Sequence, residues 1–215
     1  MSPSELILPW RQPPWPDPAS RAARLALDAE GILAHRLRLA SYCIRRGGVV
    51  AYPTEAVYGL GCDPWNQKAT RRILAMKQRP EAKGLILIAA SLEQLTPFVS
   101  LLDPERMEVI LATWPGPHTW LLPARPQTPA WLRGAHGTLA VRVTSHPLAA
   151  ALCRAAGMAL VSTSANRAGR HPARTALEVR LRLGKAPDYL LNGPCGGRSQ
   201  CSSIRDGRSG RLLRS

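Results

Sequence analysis

Acidic side chains are scarce in this sequence: 14 Asp and Glu stand against 29 Lys and Arg among 215 residues, a formal charge of +15. Chemistry built on paired carboxylates therefore has little to draw on, since only Glu55 and Asp63 fall near the first glycine-containing loop. Cysteine is thin as well. The five thiols (Cys43, Cys62, Cys153, Cys195 and Cys201) form an odd set without a CxxC pair, which fits neither a disulfide scaffold nor a zinc site. Free thiols in a reducing compartment are the expectation. No HExxH occurs and the five histidines are scattered singly, so no dedicated metal site is expected. The P-loop pattern GxxxxGK[ST] is absent, and Gly59-Leu60-Gly61 is not completed to GxGxxG, which disfavours a standard nucleotide or dinucleotide loop. No apolar run approaches the ~20 residues of a membrane helix. Met1 to Trp10 lacks the basic start and apolar core of a secretory signal. A soluble, cytoplasmic protein without a membrane partner is the reading.

What the chain does have is a core and a surplus of arginine. Forty-five per cent of the residues are apolar and 20% are charged, as in globular domains. Residues 167 to 215 alone hold eleven basic and three acidic side chains, more than half of the surplus. Such a field favours polyanions, nucleotides or RNA, and Arg208, Arg211 and Arg214 are read as its RNA-facing members. Only four of the cations are Lys, a skew that base composition of the coding DNA can also produce.

Residues 1 to 19 are rich in Pro and Trp and read as an extended arm, leaving 20 to 215 as one domain. Leu33, Leu37, Ala40 and Ile44 fall at helical spacing ahead of Gly47-Gly48. Val49 to Tyr52 reads as a buried strand, and Thr54 to Gly61 as a loop with two glycines. Ala69, Ile73 and Met76 stripe a helix that Pro80 stops, putting Lys77 and Arg79 at or just past its end. Further strands are expected at 85–89, 119–122, 139–143, 159–162, 189–191 and 203–205, with helices at 104–112, from Pro147, and at 175–183. The remainder is a hairpin or a loose end. Helices interleaved with short strands predict an α/β domain, one twisted and mixed sheet with flanking helices.

The loops offer cations and hydroxyls. Lys77, Arg79 and Lys83 lie within seven residues and can converge on a polyphosphate; spacing alone favours a solvated turn. Ser164 and Asn166, placed in the loop after a buried strand, can bond a ligand at the sheet edge or can cap and turn the chain. Thr54 and Tyr58 flank the glycines and suit a small polar ligand, although a tyrosine there also packs. Cys62 has no nearby His and reads as a buried, inert thiol.

Together these segments resemble the YrdC/TsaC family of threonylcarbamoyl-AMP synthases. The resemblance rests on Ala51 to Gly61 (AYPTEAVYGLG), Lys77-Gln78-Arg79-Pro80 followed by Lys83-Gly84-Leu85, and Trp114 to Thr119 (WPGPHT). It continues in Ala140 to Val143 (AVRV) with His146-Pro147, in Ser164-Ala165-Asn166, and in Ser202 to Asp206 (SSIRD). It spans roughly residues 34 to 213. His118 and Ala168 depart from the usual residues, and the resemblance is to the family's short form, so no function of the long form's second domain is expected.

The resemblance implies a YrdC-like fold and a reaction: L-threonine, bicarbonate or CO₂ and ATP give threonylcarbamoyl-AMP and pyrophosphate, for t6A at position 37 of tRNAs reading ANN codons. It implies that Lys77, Arg79, Ser164 and Asn166 hold ATP, with Arg142 and Lys83 as supporting cations and Lys77 and Arg79 catalytic. Thr54, Tyr58, Thr119 and Ser202 would line a threonine pocket. Mg²⁺ would arrive with ATP rather than in a protein cage. Weak tRNA or double-stranded RNA binding and a downstream threonylcarbamoyl-transferase are the implied partners. The alternative is a protein that binds double-stranded RNA or tRNA and performs no chemistry.

Overall fold

The computed structural model describes residues 18–214. Most of the expected arm over residues 1–19 therefore lies outside the described residues. The chain divides into a unit up to His35 and a compact unit from Arg36. Helix α1 (Pro18–Arg45) is the described part of the first and enters the second.

The second unit is built on nine strands: β1 (Val50–Pro53), β2 (Tyr58–Gly61), β3 (Ile86–Ala89), β4 (His118–Pro123), β5 (Thr138–Val143), β6 (Leu160–Ser164), β7 (Tyr189–Leu190), β8 (Ser203–Asp206) and β9 (Leu212–Arg214). They form one sheet in the order β7-β1-β2-β6-β3-β5-β4-β8-β9. Pairs β1–β7, β3–β5 and β4–β8 are parallel and the others antiparallel, so the sheet is mixed, as expected. Period-two alternation sends successive side chains to opposite faces. Val50, Tyr52, Ile88 and Leu160 meet the end of α1 (Ala40, Ile44) and α5 (Pro147–Ala156) on one face. Ala51, Leu60, Leu87, Val141 and Val161 face a larger core. That core is closed by α2 (Gln67–Lys77), α3 (Pro104–Leu111), α4 (Ala130–Arg133) and α6 (Ala176–Leu183). The result is three layers.

The helices start where the sequence allows. Asn66, Asp103 and Thr175 accept backbone N–H groups at the starts of α2, α3 and α6. His146 does the same for α5, its ring accepting from the Ala149 N–H while Nε2 meets the Pro194 carbonyl at 3.0 Å. This imidazole is thus structural.

Two expectations need correction. Thr54 to Gly61 is not a loop: residues 58–61 are strand β2, paired with β1 from Pro53↔Tyr58 to Val50↔Gly61. The glycines serve close packing inside the sheet. A Cβ on Gly61 would stand 2.6 Å from the Val161 carbonyl oxygen and 2.7 Å from the Tyr52 ring. Likewise Thr163 and Ser164 end strand β6, which pairs with β2 through Gly59↔Ser164. The strand runs two residues beyond the expected end at residue 162, so Ser164 sits in the sheet and only Asn166 lies in the loop after it. The Arg-rich end is a hairpin, β8 with β9.

Candidate active site

A cavity of about 360 Å³ opens where several chain ends meet. Its walls are the β1–β2 turn, the end of α2 with the following loop, Arg142 of β5, the end of β6, residues 201–202, and Arg214 of β9. Of the ten site residues expected from the sequence, all but Thr119 line it. Thr119 is fully buried on β4, where its hydroxyl donates to Ser202 Oγ at 2.9 Å. It supports the wall from behind, because β4 and β8 run parallel with Thr119 opposite Ile204.

Lys77 is the best-held side chain of the cavity. Although it ends a helix, it is 4% exposed, and its ammonium donates to the Ser164 carbonyl (2.5 Å), the Asn166 carbonyl (2.9 Å) and Asn166 Oδ1 (3.1 Å). Ser164 Oγ in turn donates to Asn166 Oδ1 at 2.6 Å. The solvated-turn reading is thus excluded for Lys77, and the two signatures KxR and SxN form one knot. Burial, and then the charge of Arg79, push the Lys77 ammonium down to about 8.

The turn after α2 aims the next cation. Gln78 adopts the left-handed conformation (φ 53°), and the Gln78 and Arg79 N–H groups return to the Ala75 and Leu74 carbonyls. Arg79 then folds the loop over itself, donating from Nε and Nη2 to the Gly84 carbonyl at 3.2 and 3.0 Å. Gly84 itself has φ +60°, and a Cβ there would meet the Arg133 carbonyl at 3.0 Å. Burial and then the charge of Arg214 lower the Arg79 pKa. Lys83 lines the same wall with its side chain exposed.

Opposite this stands a buried ion pair. Arg142 Nη1 lies 2.7 Å from Glu55 Oε2, with both side chains under 10% exposed. Glu55 Oε1 accepts from the Thr144 hydroxyl at 2.7 Å and from the Ser145 N–H at 3.1 Å. Burial alone would raise the Glu55 carboxyl; the Arg142 charge and these hydrogen bonds outweigh it and hold it below the ordinary carboxylate range. Arg142 is consequently not a free cation: its charge is already matched. Its Nε, however, is buried and has no partner among the described residues, a cost in stability.

The hydroxyl groups expected to read a ligand are partly committed elsewhere. Tyr58 OH donates to the Gly193 carbonyl (2.5 Å) and accepts the Gly193 N–H (3.1 Å), so the cavity is offered its ring rather than a free phenol. Thr54 Oγ1 donates to the Val57 carbonyl at 2.7 Å. The backbone of the same turn accepts from the segment that follows β7: Gly196 N–H bonds Thr54 O and Arg198 N–H bonds Glu55 O, both at 3.0 Å. That segment runs on to Cys201 and Ser202 in the cavity wall.

The sequence reading missed two participants. Glu55 carried no role in the sequence reading, though its partner Arg142 lies in another signature and Thr144 directly follows that signature. Arg214 was grouped with the RNA-facing tail, but it lines the cavity and donates to the Ser202 carbonyl at 2.9 Å. The β8–β9 hairpin, with Gly207 and Gly210 in its turn, was the signal that could have found it.

The Sua5/YciO/YrdC family model, whose description reads "Telomere recombination", matches residues 42–215. A threonylcarbamoyl-AMP synthase of Nitrosococcus oceani is 58% identical over 179 residues, covering 83% of this chain and 97% of that protein. Another, from Halorhodospira halophila, is 56% identical over 184 residues, covering 86% and 96%. The crystal structure of P. abyssi Sua5 complexed with L-threonine is similar with a TM-score of 0.75 at 32% identity; the match covers 79% of this chain and 50% of that longer one.

Proposed function

This chain belongs to the Sua5/YciO/YrdC family, and from that membership we infer that it is a threonylcarbamoyl-AMP synthase. It takes L-threonine, bicarbonate or CO₂ and ATP to threonylcarbamoyl-AMP and pyrophosphate, the step that feeds t6A formation at position 37 of tRNAs reading ANN codons. The observation that carries this reading is convergence. Cations and hydroxyls from six separate segments meet in one cavity of about 360 Å³, in a chain that covers nearly the whole length of synthases at 56–58% identity.

The chemistry asks little of the protein beyond placement and charge. Threonine's amine adds to CO₂ with loss of a proton, giving a carbamate. One carbamate oxygen attacks the α-phosphorus of ATP in line; the P–O bond to the β-phosphate breaks and pyrophosphate departs with that electron pair. No side-chain nucleophile is needed, which suits a cation-rich site poor in carboxylates.

Lys77, locked by Ser164 and Asn166, would present fixed positive charge to the phosphates without reorganising during the reaction. Arg79 and Lys83 would add charge along the triphosphate, joined by Arg214 across the mouth. Arg142, steadied by Glu55, would add fixed positive charge beside an anionic substrate group. Thr54, the Tyr58 ring and Ser202 would wall the threonine end, with Thr119 behind Ser202. Glu55 is the one carboxylate among the described lining residues, and both its oxygens are engaged. The lining therefore fits a Mg²⁺ that arrives on the nucleotide, where it would shield the phosphate charge.

Exposed arginines such as Arg208 and Arg211 would hold tRNA weakly in the cytoplasm, near a transferase that accepts the adenylate. No described helix is long and apolar enough to cross a membrane. A protein that only held RNA would have no use for a buried lysine–amide knot beside such a cavity. The test is incubation with ATP, threonine and bicarbonate, reading pyrophosphate and the adenylate. Release should require both co-substrates. Equal release without threonine would reduce the protein to an ATP pyrophosphatase and end this reading.

A further inference from the structure

We propose that the loop following the site holds a second anion subsite that receives pyrophosphate as it leaves, a role that rests on the synthase reading above. Behind Asn166 lies another concavity, of about 560 Å³, lined by Asn166, Arg167, Arg170, His171, Leu181 and Arg182. Asn166 is the wall common to both spaces. Its side chain faces two ways: Oδ1 takes the Lys77 ammonium and the Ser164 hydroxyl, while Nδ2 donates to the Arg167 carbonyl (2.9 Å) and the Arg170 carbonyl (2.6 Å). The loop bearing the outer arginines is thus pinned to the same amide that steadies the inner lysine.

The loop's shape is fixed rather than loose. Gly169 turns it at φ +73°, and the Arg170 N–H closes on the Arg167 carbonyl at 3.1 Å. Ala168 N–H bonds the Lys77 carbonyl at 2.8 Å, tying the loop to the end of α2. Arg182 bridges from α6, donating to the His171 carbonyl at 2.8 Å while pairing with Glu178. Among the described residues, no ion pair involves Arg167 or Arg170. Two exposed guanidinium groups without counter-charge therefore border a concave, solvent-open space, where their fields add. Guanidinium forks match phosphate oxygens in pairs.

The reaction generates a multiply charged diphosphate on the inner side of this wall. That product must leave against the pull of Lys77 and Arg79, and a second set of cations one residue away offers it a stepwise exit. Concavity and the shared wall favour a small polyphosphate here over an RNA backbone.

The test uses the full chain and the double variant Arg167→Gln/Arg170→Gln, with urea unfolding to verify its fold; both side chains are exposed, so the midpoint should not move. Pyrophosphate binding is measured by calorimetry without ATP, and product inhibition by pyrophosphate is measured against ATP. The inhibition constant and the pyrophosphate Kd should each rise on the order of tenfold, with the KM values for ATP and threonine within twofold. The pair Arg167→Lys/Arg170→Lys, keeping charge but losing the fork, should fall between. Unchanged pyrophosphate binding would overturn the subsite. So would a parallel rise in the ATP KM, which would assign these arginines to the nucleotide's own phosphates, or a loss of tRNA affinity alone. Failure of the synthase reading would show separately, as wild-type pyrophosphate release that ignores threonine and bicarbonate.

Discussion

The inner and outer cations of this protein are the same residue types in opposite circumstances. Lys77 and Arg142 are almost fully buried, each bound by three or more groups or by a carboxylate. Arg208 and Arg211 lie exposed on the terminal hairpin. Net charge counts both sets equally, yet only the first can hold a fixed field where a reaction occurs. Desolvation makes the difference: an unscreened charge beside a substrate acts strongly, whereas a solvated one is screened within about 10 Å at ordinary salt. Arg214 crosses the divide, being exposed in area but lining the cavity mouth.

Removing one member of the buried pair should produce the largest effect. Glu55→Ala leaves the Arg142 charge, the Thr144 hydroxyl and the Ser145 N–H unanswered, and urea unfolding should show a loss of about 3–5 kcal/mol. Arg208→Ala should stay within about 0.5 kcal/mol. The pair also sets an acid limit. Glu55's folded pKa is depressed, so its contribution is present above the unfolded carboxylate pKa and is lost as pH falls through the folded value. A Glu55→Ala protein as stable as wild type would erase the contrast between the two regions.

Next in size come the cations of the cavity. Lys77→Ala and Arg79→Ala should each lower kcat/KM about ten- to hundredfold, the equivalent of roughly 1.5–3 kcal/mol of charge-assisted contact. Wild-type kinetics in both would make the cavity no more catalytic than the tail.

Titration gives a third, smaller test. With its pKa near 8 in the free protein, Lys77 must regain a proton to meet the phosphates above that pH. ATP affinity should therefore fall above pH 8, by up to about tenfold per pH unit, and Lys77→Ala should flatten the profile. For stability the sign is opposite. The folded pKa lies below the unfolded 10.5, so the unfolded chain binds more protons between about 8 and 10.5 and stability rises with pH across that window, relative to Lys77→Met. A flat ATP profile in wild type would mean that the ammonium is not what the nucleotide meets.

The smallest effects sharpen the boundary at the tail. Arg214→Gln should raise the ATP KM a few-fold, whereas Arg208→Gln/Arg211→Gln should leave it unchanged while flattening the log–log salt dependence of tRNA binding by about 0.9 per lost duplex phosphate contact. If Arg214 behaved like Arg208, the hairpin would belong wholly to the outer set.

Much of this was legible from spacing. The stripe of Ala69, Ile73 and Met76 and the break at Pro80 placed Lys77 and Arg79 at the end of α2, where they are found. Strand β5 and the start of α5 at Pro147 were equally plain, because period-two and period-3.6 patterns are local properties of the chain. Glycine misled the reading of residues 58–61. A glycine pair signals either a loop or a close approach of backbones, and the choice depends on the Tyr52 ring of β1 and on Val161, far away in sequence. The hydroxyl of Tyr58 was misjudged for the same reason, since Gly193 claims it from 135 residues away.

By itself, then, the sequence determined most of the elements, the residue types of the site and, through its signatures, the family. Only the tertiary structure decided which charges are answered: that Lys77 is held by the backbone of 164–166, that Arg142 belongs to Glu55, and that Arg214 returns to the cavity. The reason is physical. Helix and strand preferences are fixed by neighbours a few residues apart, whereas burial and pairing of a charge depend on groups brought together only when the sheet closes.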